Sequence, residues 1–140
     1  MARPRWNGVF PAVTTQFNSD ESLNISSTQK LMERLIQTGV HGFIMLGTVG
    51  ENCSLRAEEK RKVLSAAQEV VNGRIPILSG VAEFTTAEAA QYARDAAKIG
   101  VDGLMVLPGM VYTSDTRETL HHFRTVARLS LIHISEPTRQ

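Results

Sequence analysis

Gly39-Val40-His41-Gly42-Phe43-Ile44-Met45-Leu46-Gly47-Thr48-Val49-Gly50-Glu51-Asn52 joins a helix stop, an apolar strand and a glycine-flanked turn in one short run. Gly39 ends a helix, Phe43 to Leu46 reads as a strand, and the turn finishes in a hydroxyl and a carboxylate. The first half recurs at Gly100-Val101-Asp102-Gly103-Leu104-Met105-Val106-Leu107-Pro108. Two copies of a helix stop followed by a buried strand predict a repeated strand–helix unit. Such units build parallel sheets, because parallel neighbours need a long crossover and not a tight hairpin. In folds of this kind the reactive groups stand in the loops after the strands, so Thr48 lies where chemistry is expected.

The flanking sequence repeats the unit. Gly8-Val9-Phe10-Pro11-Ala12-Val13-Thr14-Thr15 reads as a first strand, and Pro11 makes it irregular or edge-like. Ser26 and Ser27 are expected to cap a helix with Leu31, Leu35 and Ile36 on one face. A second helix runs from Ala57 to Val71, with Val63, Ala67 and Val70 inward. Its Glu58, Glu59, Lys60, Arg61 and Lys62 form a solvated face with supporting ion pairs. Gly73 ends it, and Ile75 to Val81 is the third strand. Thr85-Thr86-Ala87-Glu88 is a capping box, opening a helix whose Ala89, Ala93, Ala96 and Ala97 can lie close against a sheet. Leu104 to Leu107 is the fourth strand, and Asp115-Thr116-Arg117-Glu118 is a second box before a helix with Leu120, Phe123 and Ala127 inward. The result is an α/β chain of four strand–helix units, and a closed barrel of eight takes about 250 residues.

Composition narrows the function classes. The chain has 140 residues, 42% hydrophobic and 21% charged, as expected for a globular protein. A net charge of +1 gives no reason to expect nucleic acid or an anionic membrane as partner. Cys53 is alone, which excludes an intrachain disulfide and fits a reducing cytoplasm. The basic start, Met1 to Trp6, lacks the apolar stretch of a signal peptide, and no window reaches the roughly 18 apolar residues of a membrane span. No metal-ligand cluster is visible, and the Gly47 turn lacks the Lys-Ser/Thr of a nucleotide loop.

The turn Gly47-Thr48-Val49-Gly50-Glu51, taken with Gly73-Arg74-Ile75-Pro76-Ile77, Gly80-Val81-Ala82-Glu83 and Asp102 to Pro108, resembles the dihydrodipicolinate synthase/N-acetylneuraminate lyase family over about residues 6 to 129. The resemblance implies a (β/α)8 TIM barrel, here its N-terminal half, with residues 1–129 belonging to the barrel and 130–140 forming a non-native tail. It implies class I chemistry, a lysine forming a Schiff base with a 2-oxo acid such as pyruvate, no cofactor, and a homotetramer. Gly47, Thr48, Val49 and Gly50 would then hold the substrate carboxylate through backbone N–H groups, with Thr48 also relaying protons. Successive N–H groups in a glycine-flanked turn do form an anion-binding concavity.

Within the family, Gly47 to Asn52, Ala82 to Thr86 and Met110-Val111-Tyr112 look most like the 1-pyrroline-4-hydroxy-2-carboxylate deaminases of hydroxyproline breakdown. Synthases of the family usually carry a second threonine where Val49 stands, and a tyrosine pair where Gly109 to Val111 stand. Val49 still offers its N–H but no hydroxyl. The alternatives are 4-hydroxy-tetrahydrodipicolinate synthase or a sugar-acid dehydratase or aldolase of the same family. A reading from another class is a non-catalytic fragment that self-associates through open sheet edges.

The Schiff-base lysine of the family is expected after a sixth strand, outside these residues. Lys30, Lys60, Lys62 and Lys98 all fall on predicted helices, away from the strand ends where a catalytic amine needs to sit. The chain alone is therefore expected to be inactive. Leu131 to Gln140 departs from the family and resembles translated sequencing-adapter read-through, although Leu131 to Ile134 also has the pattern of a fifth strand.

The remaining polar residues are read individually. Glu51 is expected to be a structural carboxylate accepting loop donors. Asn52 either selects substrate polarity or makes a loop hydrogen bond. Tyr112 either reaches the site, as a catalytic phenol, or packs beneath the last helix. His121 and His122, being adjacent, are expected on a solvated surface, His41 is structural, and Cys53 is a small packing residue.

Overall fold

The computed structural model describes residues 4–109 and 111–130. Helix α1 spans Ile25–Gln37, strand β1 Phe43–Met45, helix α2 Ala57–Val71, strand β2 Ile77–Val81, helix α3 Thr86–Ile99, strand β3 Gly103–Val106 and helix α4 Thr116–Leu129. The strands form one parallel sheet in the order β1-β2-β3, with Phe43 beside Ile77, Leu78 beside Gly103 and Val81 beside Val106. Consecutive helices also pack side by side, α1 on α2, α2 on α3 and α3 on α4. Strand order and helix order thus advance together, the arrangement of a barrel wall and not of a sheet wound in two directions.

The expected first strand pairs with β1 through a single bridge, Ala12 to Ile44. Val13 N–H donates to the Ile44 carbonyl at 2.9 Å and Ile44 N–H to that of Pro11 at 3.0 Å. Pro11 has no N–H to extend the ladder, and that keeps the segment irregular. Helix α1 is capped by Asn24, whose side chain accepts from Ser27 N–H, and not by Ser26 or Ser27 as expected. Thr85 caps α3 with one half of its box, whereas both halves of the Asp115–Glu118 box are formed.

The sequence repeat is a repeat of hydrogen bonding. His41 donates its N–H to the Val9 carbonyl at 2.9 Å while its Nδ1 accepts from Val9 N–H at 3.0 Å. Asp102 does the same to Ile77, at 2.9 Å through N–H and 2.8 Å through Oδ2. Each staple fixes where the neighbouring strand starts. The glycine that follows each is required by space: a Cβ at Gly42 would fall 2.0 Å from the Phe10 ring, and one at Gly103 would fall 2.7 Å from Leu78 and 3.1 Å from Trp6.

The core lies between sheet and helices. Phe43, Met45, Ile77, Val81, Leu104 and Val106 face Met32, Val63, Leu64, Ala67, Ala89, Ala93 and Ala96 there. The close approach of α3 follows from its alanines, as expected. On α4 the buried residues are His122 and Val126, with Phe123 partly covered, whereas Leu120 is exposed. The inward stripe is therefore centred half a turn from Leu120, and its axis is fixed by a histidine that periodicity counts as polar.

Candidate functional site

After Met45 the backbone leaves the sheet through Leu46, a buried residue at φ 53°. Left-handed backbone is costly for leucine. It breaks the strand's alternation, so that Leu46 joins the core that Met45 also occupies. Two tight turns follow, Thr48–Gly50 and Asn52–Ser54, joined by Glu51 at φ 59°. The Gly47 carbonyl accepts Gly50 N–H at 3.1 Å and Asn52 N–H at 3.4 Å, and the Thr48 carbonyl accepts Glu51 N–H at 3.0 Å. The N–H groups of Thr48 and Val49 have no acceptor among the described residues. The first N–H groups of any helical turn are left over in this way, and here two successive ones lie at the C-terminal end of β1.

Other elements hold the turn from behind. Thr15 donates its hydroxyl to the Gly50 carbonyl at 2.7 Å, and a Cβ at Gly50 would fall 3.2 Å from the Val13 carbonyl. Asn52 is only 1% exposed, and its Nδ2 donates to the carbonyls of Leu46 at 2.8 Å and Gly80 at 3.1 Å. Gly80 must be glycine, since a Cβ there would fall 2.2 Å from the Leu46 oxygen. Asn52 Oδ1 is buried without a partner among the described residues.

Of the residues singled out by sequence, Gly47, Thr48, Val49 and Gly50 come together in this one turn, with Thr48 and Val49 exposed and Gly50 buried. Tyr112 lies in the loop between β3 and α4, 58% exposed. It is therefore not packed beneath α4; a Cβ at Gly109 would fall 3.6 Å from its ring and 3.3 Å from the Phe84 carbonyl, which puts the loops after β2 and β3 side by side. Met110 lies outside the described residues, as does the tail from 131 to 140.

Four expectations are corrected. Glu51 accepts no donor among the described residues; its contribution is the left-handed joint, which leaves its side chain exposed. Cys53 is exposed rather than packed, because the second turn carries it to the surface. Lys60, placed on a solvated face by periodicity, is 4% exposed and pairs with Glu83 at 2.7 Å. His122 is 5% exposed, with Nδ1 3.0 Å from the Thr86 hydroxyl and Nε2 3.0 Å from the Leu107 carbonyl. Burial lowers the His122 pKa below the usual histidine value; the Leu107 bond opposes this, and His121 adds to it.

The Lys60–Glu83 pair belongs to a polar layer behind β2. Tyr92 shares a 2.6 Å hydrogen bond with Ser79, and Arg61 stacks 4.8 Å from its ring while bonding Asp95. Burial raises the Tyr92 pKa well above that of a free phenol. Lys30, Lys62 and Lys98 are exposed on the helices, so no lysine among the described residues stands at a strand's C-terminal end. No group of three or more His, Cys, Asp or Glu among them could hold a metal, and no helix there is long and apolar enough to cross a membrane.

The dihydrodipicolinate synthetase family matches residues 5–134. The chain belongs to this family. A 4-hydroxy-tetrahydrodipicolinate synthase of Methanoculleus marisnigri is 35% identical over 128 residues, covering 90% of this chain and 44% of that protein. An uncharacterized DapA-like lyase of Halobacterium salinarum is 36% identical over 121 residues, covering 86% and 40%. Among solved structures, a dihydrodipicolinic acid synthase family protein from E. coli K12, in complex with pyruvate, superposes with a TM-score of 0.87 at 29% identity, covering 91% of this chain and 43% of that one. The chain thus spans less than half the length of these relatives, and its three parallel strands are the N-terminal portion of the family's TIM barrel.

Proposed function

We propose that this chain is the N-terminal part of a Schiff-base-forming lyase or deaminase that acts on a 2-oxo acid or a cyclic imino acid. The observation that carries the proposal is the pair of unclaimed N–H groups on Thr48 and Val49, at the strand end where barrel enzymes bind substrate. Gly47 to Gly50 hold the carboxylate, the Thr48 hydroxyl lies beside it for hydrogen bonding and proton relay, and Tyr112 supplies a second hydroxyl from the loop after β3. A carboxylate held there presents its neighbouring carbonyl to a lysine supplied from outside these residues. That amine adds to the carbonyl carbon and the oxygen leaves as water, or it adds to the C=N carbon of the cyclic imine and the ring nitrogen leaves as a tethered amine; the iminium formed is the electron sink for bond breaking. The E. coli relative solved with pyruvate supports a 2-oxo acid as ligand.

Two reactions compete. Val49, with no hydroxyl, and the isolated Tyr112 favour deamination of 1-pyrroline-4-hydroxy-2-carboxylate. The synthases among the relatives favour condensation of pyruvate with an aldehyde, the alternative reading. The deciding experiment reduces the complete polypeptide with borohydride in the presence of pyruvate or of the cyclic imine, and reads the mass adduct and its lysine. An adduct is expected, with ammonia released from the imine without reductant if the protein is a deaminase. Absence of an adduct with either compound ends the Schiff-base assignment. The 140 residues alone are expected to give neither adduct nor turnover.

A further inference from the structure

We infer that Asn52 is the positioning residue of the carboxylate cradle and sets its preference for an acid over a neutral analogue. The inference rests on the reading just given, because it concerns how that turn meets its ligand. Asn52 holds the turn at both ends of its own residue. Its backbone N–H binds the Gly47 carbonyl at 3.4 Å, and its Nδ2 binds the Leu46 carbonyl at 2.8 Å. The Gly47 carbonyl belongs to the same peptide as the free Thr48 N–H, and the Leu46 carbonyl to the peptide before it. With the Gly47 oxygen drawn toward the Asn52 N–H, whose place the side-chain bonds fix, that peptide presents the Thr48 hydrogen and not its oxygen to a ligand, while the Thr48 carbonyl, bound to Glu51 N–H at 3.0 Å, turns the Val49 hydrogen outward.

The same amide reaches the Gly80 carbonyl at 3.1 Å, so the end of β2 is registered against the turn. Leu46 accepts a left-handed backbone, and Gly80 gives up a side chain, at the one point where Asn52 bridges them. Only a carboxamide at this depth has the two Nδ2 hydrogens needed. Serine is too short and leucine has none. The cost of this choice is visible in Oδ1, which is buried without a partner among the described residues. A residue kept for packing alone would carry no such unpaired acceptor.

The test uses the complete polypeptide, with borohydride trapping of pyruvate and of methyl pyruvate read by intact mass. The measured quantity is the ratio of the two half-saturating concentrations, which is independent of how much protein is folded. In Asn52→Leu the pyruvate value is expected to rise by about tenfold more than the methyl pyruvate value, since only the acid depends on charge-assisted N–H bonds. Asn52→Ser, a smaller perturbation of the fold, is expected to move the ratio in the same direction by about threefold. An unchanged ratio in both variants overturns the inference and leaves the Schiff-base reading standing on the wild-type adduct. No wild-type adduct overturns both.

Discussion

On the helix side of the sheet, Phe43, Met45, Ile77, Val81, Leu104 and Val106 are all buried, whereas on the opposite side Leu78 alone of the larger side chains is buried, Ile44 and Met105 stay partly exposed, and Gly80 and Gly103 carry no side chain. Ile44 and Met105 are as apolar as the buried residues beside them in the chain, so their exposure reflects what covers each side. Helices α1 to α4 close the first side. Among the described residues the second is covered by an aromatic floor of Trp6 and Phe10, whose rings lie 6.1 Å apart and reach Gly103 and Gly42. In a closed barrel the inner side is filled by layers of side chains from the other strands. A finished core thus adjoins a half-built one, and the turn of Thr48 and Val49 sits on the rim between them.

The largest expected effect comes from neighbouring residues on opposite faces. Phe43→Ala should cost about 3–5 kcal/mol of stability, as for any fully buried aromatic ring. Ile44→Ala should cost less than about 1 kcal/mol in the 140 residues alone, because little of its burial is lost. Denaturant midpoints of the two variants measure this, and equal losses would show that the inner face is already covered. The same contrast governs association. The 140 residues are expected to self-associate in sedimentation, since each exposed Leu, Ile or Val forfeits roughly 1.5–3 kcal/mol. Ile44→Gln with Met105→Gln should shift them toward monomer. A monomeric wild-type chain with cooperative unfolding contradicts the comparison outright.

Much of this architecture was legible because hydrophobic period and glycine stops carry it. Helix α2 has the bounds that its apolar spacing implies, and the Gly39 and Gly100 copies mark real strand starts. The turn at Gly47 was legible as a source of free N–H groups because these belong to the backbone, which the glycines announce. What could not be read is long-range. Lys60 looks solvated until β2 brings Glu83 within 2.7 Å of it, 23 positions away in the chain. His122 looks like half of a surface pair until α3 presents Thr86 and β3 presents the Leu107 carbonyl. The Asn52 clamp depends on Gly80, 28 residues on. Its one local signal is an asparagine two places after the turn's last glycine.

The finished side is not uniformly apolar. Lys60 and Glu83 have side chains 6% and 16% exposed, and removing one partner leaves a nearly buried charge. Lys60→Met is expected to cost about 3 kcal/mol by denaturant titration, and adding Glu83→Leu to recover most of it. The double variant matters most. Recovery marks the pair as replaceable packing, whereas a persistent loss ties the pair to the loop carrying Phe84.

The smallest effect concerns the edge where β3 meets α4. Neutral His122 fits both of its partners: Nε2–H donates to the Leu107 carbonyl, so Nδ1 accepts from the Thr86 hydroxyl, a tautomer assigned from these bonds. Burial holds its pKa below the ordinary histidine value, with the Leu107 bond acting against the shift and His121 with it. The folded state therefore binds this proton less readily than the unfolded state. Stability is complete above the unfolded value of about 6.5 and declines as pH falls from there toward the lower folded value, levelling off beneath it. Melting temperatures of wild type and His122→Gln between pH 8 and pH 5 check this. The glutamine variant should start lower, having lost a fitted ring, and should lack this component of the decline. Parallel curves would mean that the proton is taken up elsewhere, and that this edge of the finished core is more open than its burial implies.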